Sequence, residues 1–299
     1  MRPLRALVIY LVAVFIGGPL LAPWLWRLAQ FAAPVWPALA HAPFHRFVDR
    51  SFLIIALAGL WPLLKALGAT SRREIGLVSP FGQFKRLGGG LLLGFASLAI
   101  VALLVLGSHE RVWVANLAAG KIFRTVLGAA GTAVLVATLE EILFRGGVFG
   151  GLRRIMPWTT ALGISSAIYA LVHFLQRTEL TGSVHWNSGL ILLPQMLAGF
   201  FDRHQLVPGF LNLTLAGILL GLAYQRTGNL YFSIGLHAGW IFWLKTYGAL
   251  TVAMSPNVSW FWGTGKLIDG WLAFLVLAGI LAVFKFLPLE PVRKPPTFP

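Results

Sequence analysis

The sequence predicts an all-α fold, a polytopic bundle of about eight membrane helices, and three observations carry that prediction. Hydrophobic residues fill 58% of 299 positions and charged residues only 11%, whereas a soluble domain carries about a quarter charged residues. Mean hydropathy is +0.79, and apolar runs of roughly 20 residues, the length that crosses a bilayer, recur along the chain. The basic residues behind the formal net charge of +15 lie in short clusters between those runs: Arg2/Arg5, Lys65, Arg72/Arg73, Lys85/Arg86, Arg153/Arg154 and Arg293/Lys294. That is the placement of topology determinants, and it argues against nucleic-acid binding. With no cysteine in the chain, disulfides and thiol catalysis are excluded.

The elements follow in order. Arg2 and Arg5 precede an apolar run too long for a signal-peptide core, so residues 5–26 read as an uncleaved first span. Further spans are expected near 51–68, 88–107, 123–150, 158–176, 209–226, 230–247 and 269–288. Residues 188–201 are too short to cross and contain Pro194, so they read as an interfacial or re-entrant segment. With the N-terminus inside, the basic residues of 65–86, 153–154, 226 and 285–294 share the cytoplasmic side. Tryptophans 24, 26, 61, 158, 260 and 271 fall near span ends, where belt anchoring accounts for them. Gly146/Gly150, Gly147/Gly151 and Gly217/Gly221 are small-xxx-small pairs that let helix backbones approach in lipid. At this length one membrane domain over 1–299 is expected, with N-terminal spans in 1–110 and a loose proline-rich tail at 289–299.

The chemistry concentrates in residues 134–154, VLVATLEEILFRGGVFGGLRR. Only nine acidic residues exist in the chain, yet Glu140 and Glu141 sit side by side in this apolar run. Adjacent helical residues point about 100° apart, so the two acids face different partners. Glu141 and Arg145 are at i and i+4 with the acid N-terminal, the favourable order for a pair. Glu140 is left without a sequence-local cation, in a desolvated setting that suits a general base working near neutral pH. One acid is therefore structural and the other chemical. Two other readings stand beside this one: a solvated cluster at a helix end, and an ion or proton pathway of the kind intramembrane acids mark in transporters.

Of seven histidines, only His173 and His237 fall inside predicted spans. Tyr169 lies one turn before His173, and Ser233 one turn before His237. Taking Pro157 as the turn between antiparallel helices, Glu140 and His173 each lie ~25 Å from it at the helical rise and can face each other. The same count from Gly228 puts His237 at ~14 Å, so the turns are expected at different heights.

These residues resemble a known family. Glu140-Glu141-Ile-Leu-Phe-Arg145 is similar to the EExxxR signature of the CPBP intramembrane proteases, the CAAX-protease and bacteriocin-processing (Abi) group. Tyr169-x-x-x-His173 resembles their FxxxH motif with tyrosine for phenylalanine. The stretch from Gly217 to Ala238 resembles the approach to their third motif, HxxxN or HxxxD. The likeness spans residues 123–247, the expected catalytic core. It implies a hydrolase of peptide bonds in or beside the membrane, acting on a membrane-associated peptide or protein, in contact with lipid and set in a bacterial inner membrane. In that scheme Glu140 activates water, His173 helps hold it, His237 stabilises the oxyanion, and Glu141 with Arg145 braces the site.

One position departs from the family pattern. Where it has Asn or Asp, four residues after His237, this chain has Ile241. A missing oxyanion donor costs roughly 10²–10³ in kcat, about 3–4 kcal/mol. Either another donor substitutes, with Ser233 and Asn212 as candidates, or the enzyme is slow, or the protein is a non-catalytic membrane protein such as a pseudoprotease, an immunity factor or a transporter. No cofactor is expected. A zinc alternative would use Glu140, His173 and His237, but it leaves no separate base, and the HExxH spacing of zincins is absent.

Overall fold

In the computed structural model, residues 2–68, 71–175, 178–201, 206–255, 259–284, 286, 287 and 289 are described. Of the expected tail at 289–299, residues 290–299 lie outside them. The chain is mostly helical, as predicted, and it divides into two compact units: residues 1–70 with 174–202, and residues 71–173 with 203–299.

In the first unit, α1 (Arg2–Val12) and α2 (Gly18–Phe31) are joined by one π-helical stretch, Ala13–Gly17. Pro19 explains the wider turn: it has no N–H to offer the carbonyl four residues back, so the ladder shifts there. A four-residue helix α3 (Pro37–Ala40) leads into α4 (Phe44–Ala66), which starts seven residues before the predicted span. The segment expected not to cross contains α9 (Ser188–Met196), nine residues long. It packs so closely on α2 that a Cβ on Gly189 would fall on the Pro19 carbonyl.

The second unit holds α5 (Phe84–Gly107), α6 (Ala119–Glu141), α7 (Gly150–Leu152), α8 (Trp158–Phe174, its last residue at the boundary), α10 (Gly209–Thr227), α11 (Tyr231–Leu250) and α12 (Trp271–Phe284). A π-helical stretch, Ile142–Phe149, makes α6 and α7 one continuous rod. Gly228, at φ +66, ends α10 in the left-handed conformation that glycine adopts freely. The core forms where α5, α10, α11 and α12 meet, around Leu98, Val101, Leu219, Leu236, Trp240 and Leu277. Among the described residues, four helical stretches are long and apolar enough to cross a membrane: Arg5–Phe31, Phe44–Ala66, Phe84–Gly107 and Ala119–Leu152. The outward apolar side chains of α6, such as Phe123, Leu127, Val134 and Leu135, are exposed, as a lipid-facing surface requires. The protein is an integral membrane protein.

Two features were not anticipated. A short antiparallel pair, β1 (Arg111–Trp113) with β2 (Thr251–Ala253), interrupts the all-helical pattern, with Val112 opposite Val252. Arg111 clamps it by donating to the Thr251 side chain and carbonyl at 3.0 and 2.8 Å. The second feature is a backbone-to-backbone contact between α5 and α11. Cβ atoms on Gly90 and Gly94 would fall on the carbonyl oxygens of Phe232 and Leu236, and one on Gly235 on that of Leu87. Gly90-x-x-x-Gly94 and Gly235-x-x-x-Gly239 are thus matched grooves in which the two backbones touch. Trp240 then donates its indole N–H to Ser97 at 2.9 Å across the same seam.

Candidate active site

Three helices of the second unit bring the candidate residues together. Glu140 and Glu141 end α6, where the helix opens into its π-helical stretch; such stretches recur at functional sites. His173 and Tyr169 come from α8, and His237 from α11. His237 lies between Gly235 and Gly239, so the α5–α11 seam fixes its height.

The two acids have different surroundings. Glu141 is fully buried and Arg145 nearly so, and they pair at 3.0 Å through Arg145 Nη1 and Glu141 Oε1. Arg145 Nη2 also donates to the Gly217 carbonyl at 3.3 Å, and its guanidinium carbon lies 4.4 Å from the centre of the Tyr169 ring. Gly217 is small for a second reason: a Cβ there would sit 2.9 Å from the Ser166 backbone. Gly221 likewise packs against Leu162, so the predicted Gly217/Gly221 pair is a contact face between α10 and α8. Glu141 Oε1 accepts a second bond, from His237 Nδ1 at 2.9 Å, while Oε2 has no donor among the described residues.

Glu140 is the accessible acid, with its side chain 20% exposed. His173 Nε2 lies 3.0 Å and His237 Nε2 3.7 Å from the same oxygen, Glu140 Oε2. The imidazole of His173 is oriented by the Tyr169 carbonyl, 2.8 Å from Nδ1. Since that carbonyl can only accept, Nδ1 carries hydrogen and Nε2 faces Glu140, with one proton shared across the 3.0 Å contact. His237 is set the same way: its Nδ1–H is committed to Glu141, which turns Nε2 toward Glu140 and the Tyr169 hydroxyl, 3.3 Å away. The Tyr169 ring is itself packed at 4.1 Å on the ring of His173 and edge-on to Phe144 at 5.1 Å.

Ser233 and Asn212 lie elsewhere in the bonding scheme. Ser233 donates to the Leu230 carbonyl at 2.9 Å within its own helix. Asn212 gives both amide hydrogens to the carbonyls of Ile268 and Gly270. Ile241 is buried and offers no polar atom. Among the described residues no three His, Asp, Glu or Cys side chains are disposed to hold a metal ion, and Glu140 meets His173 at hydrogen-bond distance.

Sequence reasoning did not single out Gly90, Gly94, Gly235, Gly239 and the Ser97–Trp240 bond, which set the position of His237. The glycine spacing was readable; that two separate GxxxG runs oppose each other was not.

No curated protein and no solved structure matches the chain. The family model described as type II CAAX prenyl endopeptidase Rce1-like matches residues 122–243, a stretch that includes Glu140, Glu141, Arg145, Tyr169, His173, His237 and Ile241. Residues 122–243 are therefore similar to the Rce1-like type II CAAX prenyl endopeptidases, in line with the CAAX-protease (CPBP) family that the motifs resemble.

Proposed function

We propose that this protein is an intramembrane endopeptidase that hydrolyses a peptide bond in a membrane-associated or lipidated protein or peptide. The observation that carries this reading is the convergence of His173 and His237 on one oxygen of Glu140, at 3.0 and 3.7 Å. A water hydrogen-bonded at that point meets a carboxylate that can take its proton and an imidazole that can hold it. Attack on the scissile carbonyl carbon forms the new C–O bond. Collapse of the tetrahedral intermediate then breaks the C–N bond, and the proton taken by Glu140 passes to the departing amine. Glu141 and Arg145 hold the far side of His237 in place, the role of a buried pair that bonds to a working ring. No metal takes part in this scheme.

The same reading takes residues 1–299 as one membrane domain with 123–247 as its catalytic core. It has α8, α10, α11 and α12 completing about eight crossings in a bacterial inner membrane. A prenylated CAAX-type segment and an export leader are both substrates of the right class.

The test is cleavage of a lipid-anchored fluorogenic peptide by the purified protein in liposomes. Glu140→Gln should abolish cleavage and leave thermal unfolding unchanged; activity that persists in this variant removes the assigned base. Ile241 favours a second reading, a non-catalytic member acting by binding alone. Under it, Glu140→Gln and His173→Ala would leave the cellular phenotype intact.

A further inference from the structure

The peptidase reading leaves the oxyanion without an obvious donor, and the hydrogen bonds of the site narrow the choice. Ile241 has nothing to donate, Ser233 is bonded to Leu230, and both amide hydrogens of Asn212 are engaged. His237 spends its Nδ1–H on Glu141, and its Nε2 donates to an oxyanion only when the ring carries a second proton. The group that faces this nitrogen with a proton to give is the Tyr169 hydroxyl, at 3.3 Å.

We propose that Tyr169 is the oxyanion donor of this enzyme, its phenolic O–H turning from His237 Nε2 onto the carbonyl oxygen as negative charge develops there. The inference rests on the peptidase reading and names a catalytic residue within it. Three observations support it. First, the chain departs from the family pattern at two positions around His237. Ile241 removes a donor one turn along the same helix, and Tyr169 adds one where the pattern has a phenylalanine that cannot donate. Second, the ring is held by packing, while its hydroxyl has His237 Nε2 as a partner at 3.3 Å. It is buried, packed on His173 and Phe144, and needs only rotation about its C–O bond to redirect the hydrogen. Third, the Arg145 guanidinium lies 4.4 Å from the ring centre, so a positive charge already faces the phenol that must support negative charge beside it.

The experiment is a two-by-two comparison of kcat and KM on a lipid-anchored peptide in liposomes: wild type, Tyr169→Phe, Ile241→Asn and the double variant. Tyr169→Phe should lower kcat by roughly 10²–10³ with KM within about threefold. In the Ile241→Asn background the same change should cost less than about tenfold, because the amide supplies the missing hydrogen. A Tyr169→Phe enzyme within about threefold of wild type overturns the proposal, as does an equal loss in both backgrounds, which would mark the phenol as packing. Fluorinated tyrosines at position 169 preserve the packing while changing the strength of the donor. A kcat that follows phenol acidity supports the assignment, and one that ignores it refutes it. If Tyr169→Phe is neutral while Glu140→Gln is dead, only this inference falls; a wild type that cleaves no probe overturns the peptidase reading and the inference together.

Discussion

Replacing Arg145 with methionine should be among the most destabilising single changes available in this protein. The side chains of Arg145 and Glu141 are 3% and 0% exposed, and they meet at 3.0 Å. Removing the cation strands a buried carboxylate whose remaining donor is His237 Nδ1–H and whose second oxygen has none among the described residues. Two magnitudes compete. Neutral interhelical hydrogen bonds in membranes average only about 0.6 kcal/mol, because the unfolded chain in lipid finds other partners. Breaking a buried ion pair from one side costs about 3–5 kcal/mol, because the orphaned charge finds none. The second applies here, and losing the cation over the Tyr169 ring adds to it. The expected cost is therefore about 4 kcal/mol, read as a shift in equilibrium unfolding by SDS titration from mixed micelles. Adding Glu141→Gln removes the stranded charge and should recover at least half of that loss, although the double variant stays slow because His237 has lost its anionic partner. A single-variant cost below about 1 kcal/mol, or no recovery in the double variant, would show that Glu141 does not need Arg145 as its counter-ion.

Two further predictions concern the α5–α11 seam and the chemistry. Gly94→Ala places a methyl group on the Leu236 carbonyl and should cost about 1–3 kcal/mol in the same unfolding assay, with cleavage lost as His237 moves. Gly88→Ala on the same helix, where a Cβ meets nothing within 4 Å, should be neutral and serves as its control. Prolonged treatment with a zinc chelator should leave kcat unchanged; a loss that zinc restores would replace the water-activating glutamate with a metal centre.

Much of this was legible in the chain. The apolar runs fixed where helices form, because a backbone in lipid must satisfy its own hydrogen bonds. The i, i+4 spacing assigned Arg145 to Glu141, since the helix repeat alone brings those two side chains together. Nearly equal counts from Pro157 put Glu140 level with His173 because the rise per residue is constant, and the two meet at 3.0 Å. His237 was harder to place: its depth depends on matched glycine grooves on two helices, Gly90/Gly94 and Gly235/Gly239, far apart in sequence, and spacing within one helix carries no record of which other helix it will touch. The strand pair of Arg111–Trp113 with Thr251–Ala253 escaped for the same reason. Composition and local periodicity determined that this is a helical membrane protein in which Arg145 pairs with Glu141. Only the tertiary packing decided which groups meet, bringing His237 Nδ1 to Glu141 and its Nε2 to the Tyr169 hydroxyl, because those partners come from other helices.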